Sequence, residues 1–184
     1  MGMLLAFSPF IFFAVLSKFV GTETGLLAGA IVAALLLARD WMRGKQPKVL
    51  ELGTVMLFAG LASCVAVAGS AAWSITAVRF AVDVGLLLIV LFSLAIRRPF
   101  TLQYAREQVP EHIAQTPQFL RANDIITAVW ALAFAVFVAA DAVMTWLPQW
   151  PLWIGIVVSA LAFAGAAKFT VWYPAHMRAA MRQR

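Results

Sequence analysis

Five ionisable residues stand out by position: Lys18, Glu23, Arg79, Asp83 and Asp141 lie inside or at the rim of long apolar runs. A charge facing hydrocarbon at the centre of a span costs at least about 2.5–3.5 kcal/mol, so such groups pair, reach water or become neutral. Arg79 and Asp83 are four residues apart, which puts them on one helix face within reach of each other. Asp141 has no basic residue at that spacing. It must meet Lys18 or Arg79 across helices, reach water, or take up a proton under desolvation. Two kinds of chemistry follow. In one, the charges pair inside a helix bundle and hold it together. In the other, they line a polar, outward-opening cavity that carries an ion, a proton or a substrate.

Other chemistry has little to work with. His112 and His176 fall in a connector and in the tail, not facing one another within spans, which argues against a transmembrane bis-histidine haem. There is one cysteine, Cys64, inside an apolar run and far from any base, so it reads as a small apolar residue and forms no intrachain disulfide. No HExxH, GxSxG, Walker or GxGxxG pattern occurs. The expectation is therefore no catalytic residue, no cofactor and no metal ligand.

The elements that must position these charges are membrane helices. Of 184 residues, 64% are hydrophobic and 12% charged. A soluble domain is nearer about 45–50% apolar and 25% charged, and a chain this short cannot bury such an excess in water. The formal charge of +6 gathers at the ends of apolar runs. It reads as topology signals and contacts to anionic lipid headgroups, not as a nucleic-acid surface. The start of the chain lacks the basic flank and small-residue cleavage site of a signal peptide, so the first run is expected to be a retained span.

The pattern predicts an all-α, polytopic transmembrane bundle, a single membrane domain over 1–184. Six spans lie at about 3–20, 22–38, 50–68, 77–96, 123–147 and 152–173, paired as three hairpins. Connectors 39–48 and 97–121 and the basic tail 174–184 hold eleven Lys and Arg, while 21–24, 69–76 and 148–151 hold none. That asymmetry places both termini in the cytoplasm. The tryptophans agree: Trp41 and Trp172 fall at the inner boundary and Trp73, Trp146, Trp150 and Trp153 at the outer, with Trp130 alone inside a span. Asp83 and Asp141 each come out roughly 9 Å below the outer boundary at 1.5 Å per residue. Lys168 can snorkel to the inner face, and Asp124 sits beside Arg121 at a helix start.

Small residues mark close helix approaches. Gly25 and Gly29, continued by Ala30 and Ala34, give one such face, and Gly60 and Cys64 with Ala59 and Ser63 give another. These faces serve packing within the chain or assembly as a homo-oligomer. Residues 100–109 of the long connector form either a short helix lying on the membrane surface or an ordinary cytoplasmic loop.

Several stretches carry a family resemblance. They are the opening FSPFIFFAVLSKFVGTETGLLAGAIVAALLL with Lys18, the basic turn after it, LFAGLAS in the third span, RRPF after the fourth, and FLRANDIITAVWALAFAVFVAADAV. Over about residues 4–147 the chain resembles the intracellular septation protein A family of bacterial inner-membrane proteins. The resemblance implies a multi-pass protein of the bacterial inner (cytoplasmic) membrane. It would support septation and envelope maintenance through contacts with lipids and with other envelope or division membrane proteins, and it supplies no catalytic residues. The rival expectation is a small transporter or channel using Arg79, Asp83 and Asp141.

Overall fold

The computed structural model describes residues 2–69, 73–147, 149 and 151–182. Trp150 of the expected outer belt, Arg184 of the tail, and parts of the turns at 69–76 and 148–151 lie outside them. The secondary structure among the described residues is entirely α-helical: α1 (Gly2–Leu5), α2 (Ser8–Phe19), α3 (Thr22–Met42), α4 (Val49–Ala68), α5 (Ile75–Ala95), α6 (Phe100–Arg106), α7 (Glu111–Ala114), α8 (Pro117–Trp146) and α9 (Leu152–Arg182). Among these, α3, α4, α5, α8 and α9 are long and apolar enough to cross a membrane.

The first run differs from its expectation. It is not one helix but two, broken at Ala6 and Phe7. Pro9 is the cause. Its ring clashes with the carbonyl four residues back and it offers no N–H, so a helix can start around it but not run through it. Phe7 becomes the N-cap of α2, whose 12 residues cover only about 18 Å at 1.5 Å per residue. The whole apolar stretch Met3–Phe19 is shorter than the other five.

Several helices also outrun their apolar stretches. The second continues through the charged Arg39 and Asp40 to Met42. The fifth begins at Pro117 inside the expected connector, with Thr116 accepting a capping bond from the Phe119 N–H. The sixth runs through Pro174 into the basic tail. Intrahelical hydrogen bonding continues where hydropathy stops, because polar residues at a membrane boundary are still good helix formers.

Two helix ends show the same local geometry with different residues. At the end of α3, the Gly44 N–H bonds to the Trp41 carbonyl and the Lys45 N–H to the Asp40 carbonyl. Gly44 has φ +69°. At the end of α5, the Arg97 N–H bonds to the Leu94 carbonyl and the Arg98 N–H to the Ser93 carbonyl, with Arg97 at φ 53°. Both are Schellman closures, which place one residue in the left-handed region where a side chain is disfavoured. Arg97 is exposed, so removing its side chain sacrifices little packing. Arg97→Gly should therefore raise stability by about 1 kcal/mol, and Gly44→Ala should lower it by a similar amount. Thermal unfolding in detergent, followed by circular dichroism, reads both shifts; a drop in midpoint for Arg97→Gly contradicts the strain argument.

By spatial clustering the chain forms two compact units, 1–89 and 90–184, divided within α5. In the first, α2 packs on α3 and α3 on α4. Its core joins Phe13, Leu26, Phe58, Ala62, Val65, Val78 and Val82. The Phe58 ring lies 5.1 Å from Phe10 and 5.6 Å from Phe13. Gly25 and Gly29 make the close approaches their spacing suggests. A Cβ on Gly25 would meet Ser17 Oγ and come within 3.0 Å of the α2 backbone at Phe13 O and Ser17 N, whereas one on Gly29 would meet the Phe58 ring at 2.7 Å. A ring can turn aside and a helix backbone cannot. Gly25→Ala should thus cost about 1–3 kcal/mol by overpacking, and more than Gly29→Ala. The same unfolding measurement ranks them, and equal costs would place the α2–α3 crossing elsewhere.

The other small-residue face does not pack in this way. Gly60 has open space beyond it, and Ala59, Ser63 and Cys64 are exposed with it. On α3, Ala30 joins the core margin while Ala34 is exposed. Instead, α4 approaches α5 at Gly53, beside Ile89, and α5 approaches α4 at Gly85, beside Leu57.

In the second unit α8 packs along α9, and α6 and α7 pack on α8. Trp130 is fully buried at its centre. Its ring lies 5.5 Å from Phe134, 5.2 Å from Phe163 and 6.4 Å from Phe100. Of the two forms expected for 100–109, the helix is present, over Phe100–Arg106. Phe100, Leu102 and Tyr104 are buried in α6, and α6 rests on α8.

Candidate functional site

Lys18 and Glu23 are both exposed, on the last turn of α2 and the first turn of α3. The Lys18 ammonium sits 5.8 Å from the centre of the Phe19 ring. Arg79 and Asp83 are half-buried one turn apart on α5, on the common face their spacing requires. These four belong to the first unit. Asp141 belongs to the second and is buried at 3% exposure, five residues before the end of α8. Its backbone carbonyl accepts a bond from Thr145 Oγ1 at 2.8 Å.

The best-defined charged cluster lies elsewhere, at the α3–α4 turn. The Schellman closure at Gly44 ends α3, and Pro47 keeps the chain out of helix until Lys48, the extended N-cap of α4. Lys48 is 3% exposed. Its Nζ donates to Asp40 Oδ2 at 3.0 Å and to Glu51 Oε1 at 3.1 Å. One ammonium thus joins the last turn of α3 to the first turn of α4. Glu51 stands where a helix N-terminus favours an acid. Asp40 stands near a C-terminus, where the helix dipole disfavours one, and Lys48 offsets that. Arg39 Nε lies 3.8 Å and Lys45 Nζ 4.0 Å from the Asp40 carboxylate, with side chains 42% and 37% exposed. The two short bonds of Lys48 are the strong, charge-assisted kind at low exposure, and breaking them costs heavily.

Sequence reasoning treats Arg39, Asp40, Arg43, Lys45 and Lys48 as a topology signal and passes over Glu51. The signal available was the spacing of Lys48 and Glu51, three apart across a helix start following proline.

A second polar group sits under α6. Thr101 Oγ1 donates to the Asn123 carbonyl at 3.0 Å and lies 2.7 Å from Thr127 Oγ1. Asn123 Nδ2 donates to the Phe119 carbonyl at 2.9 Å. Ser93 Oγ donates to the Val90 carbonyl and accepts from the Phe100 N–H, which links the end of α5 to the start of α6. Buried hydroxyls bonded in this way fix a helix in place; they include no base aligned on a nucleophile. Among the described residues no group of three or more His, Cys, Asp or Glu is arranged to hold a metal ion.

Taken together, the described residues form an all-helical fold with five helices suited to crossing a membrane, the make-up of a multi-pass membrane protein. No family model matches the chain, and no curated protein or solved structure does either.

Proposed function

We propose that this chain is a multi-pass protein of the bacterial inner membrane that supports the cell envelope and septation through protein and lipid contacts and not by catalysis. The observation that carries this reading is how its polar groups are used. Lys48, Asp40 and Glu51 join α3 to α4, and Thr101 bonds to Thr127 and to the Asn123 carbonyl. Trp130 bonds to Thr170. Each of these joins helices. The bilayer reading is supported by five apolar helices of 20 residues or more and by eleven of the fourteen Lys and Arg falling in alternate connectors and the tail. In this reading both termini are cytoplasmic and the first apolar run makes the sixth crossing.

Two experiments test it. With Cys64 replaced by alanine, an impermeant maleimide applied to intact cells should label Ser74→Cys and spare Gln46→Cys, both exposed positions. The reverse pattern inverts the topology. An N-terminal tag reached from outside would show that α1 and α2 dip and return without crossing. For function, host cells lacking the protein should divide late, elongate and recover when it is resupplied. Normal cell length and normal sensitivity to wall-active agents would remove the septation reading.

A second reading, a proton-coupled transporter or channel, is favoured by Asp141, a carboxylate buried at 3% exposure within an apolar helix. Intramembrane ionisable groups at such depth often lie on ion or proton paths. Proton flux into proteoliposomes that is lost in Asp141→Asn would establish it, and the absence of flux in the parent protein would exclude it.

A further inference from the structure

We propose that the α3–α4 turn binds the headgroup of an anionic phospholipid, held by Arg39, Arg43 and Lys45, with the exposed indole of Trp41 at the same end of α3. This rests on the membrane reading above, but not on which face of the membrane the turn occupies.

The turn carries four cations, Arg39, Arg43, Lys45 and Lys48, against Asp40 and Glu51. These charges are sorted by depth. Both carboxylates hydrogen-bond to the buried ammonium of Lys48. Arg39 and Lys45 stand 3.8 and 4.0 Å from Asp40. Both are ion-pair contacts with Asp40, and both side chains stay partly exposed, at 42% and 37%. Arg39 Nε is buried without a hydrogen bond, and Arg43 is exposed. Lys48 therefore holds the acids inward, and the surface of the turn carries the exposed Arg43 with the partly exposed Arg39 and Lys45. An anion meets the positive layer first.

The neighbouring side chains select the kind of anion. Trp41 is 78% and Met42 83% exposed, on the final turn of an apolar helix. An indole at the end of a membrane helix sits at headgroup level. Two guanidiniums can each offer a planar fork to phosphate oxygens. A phosphodiester with acyl chains beneath it satisfies both features, whereas a soluble anion leaves Trp41 and Met42 unmatched.

The test uses the full chain reconstituted in symmetric vesicles of phosphatidylcholine, with brominated phosphatidylglycerol or brominated phosphatidylcholine titrated in. Quenching at Trp41 is read as the difference between the protein and its Trp41→Phe variant. The anionic lipid should quench at lower mole fraction. That preference should fall by up to about fivefold for each cation removed across Arg43→Gln and the triple variant Arg39→Gln/Arg43→Gln/Lys45→Gln. It should also shrink at high salt, since exposed charges are screened. Equal quenching by both lipids in the parent protein overturns the proposal. So does a preference that survives the triple variant with unchanged helicity. If the triple variant loses helicity, Arg43→Gln alone decides. Because the vesicles are symmetric, a null result here leaves the membrane reading standing, whereas failure of the chain to insert removes both.

Discussion

Lys48→Met should destabilise the protein by about 3–5 kcal/mol, the range for removing one partner of a buried ionic group. The substitution keeps most of the side-chain volume and deletes the charge. Asp40 and Glu51 then remain beside one another with their shared ammonium gone, at side-chain exposures of 14% and 7%. Like charges at such depth must separate, hydrate or take up a proton, and each route opens the α3–α4 turn. Glu51→Gln should cost less, because Lys48 keeps Asp40 at 3.0 Å and the amide oxygen can still accept a hydrogen bond. The double variant Lys48→Met/Glu51→Gln should recover part of the loss, giving a coupling of the size that contacting residues show. Unfolding in mixed micelles, followed by tryptophan fluorescence, measures the cycle. Additive single-variant costs would mean that Lys48 and Glu51 are not coupled.

A fully apolar replacement is a sharper test of what the cluster is for. Buried ion groups exchanged for well-packed hydrophobic residues often leave stability unchanged or raised. Asp40→Leu/Lys48→Met/Glu51→Leu should then fold with a midpoint near that of the parent. The cations Arg39, Arg43 and Lys45 would remain and the net charge of the turn would rise by one, so the lipid preference proposed above should survive or increase. Stability and headgroup binding thus separate. A single polar cluster serving both roles would lose both together.

What the sequence makes legible here depends on whether the signal is local. Gly25 and Gly29 are four apart, and that spacing alone puts two gaps on one helix face for neighbours to enter. The one tryptophan inside a span is the one at the centre of a packed cluster. The cluster at Lys48 depends on a chain reversal. Asp40 and Lys48 are eight apart and meet only because Gly44 turns the backbone through the left-handed region. Charge patterning registers their sign but not their meeting. The α6 segment fails for another reason. Seven residues with apolar and polar faces suit a lipid surface or a protein partner equally, and its seat on α8 depends on Thr127 and Asn123, more than twenty residues away. Pro9 by itself says only that a helix starts close by, and which turn it occupies depends on the start of that helix, so the break at Ala6 and Phe7 is visible only in the structure.

Trp130→Ala should produce the other large loss, about 3–5 kcal/mol, for a reason that differs from the one in water. Within a bilayer there is little gain from moving an apolar side chain from lipid to protein, so the cost falls on lost packing and the cavity left behind. Trp130 is fully buried, with Phe134 and Phe163 rings at 5.5 and 5.2 Å. Its Nε1 donates to Thr170 Oγ1 at 2.9 Å, and Thr170 in turn donates to the Ala166 carbonyl at 2.8 Å. The hydrogen bond and the ring can be separated. Thr170→Val keeps the shape and removes the acceptor, for an expected cost of about 1 kcal/mol. Trp130→Phe removes the donor and part of the ring, for about 1–2 kcal/mol. If packing dominates, the order of loss is Trp130→Ala, then Trp130→Phe, then Thr170→Val, and unfolding midpoints in micelles will show it. A Thr170→Val loss equal to that of Trp130→Ala would instead make the single indole bond the main tie between α8 and α9. The aromatic rings around it would then be filling space that other apolar side chains fill as well.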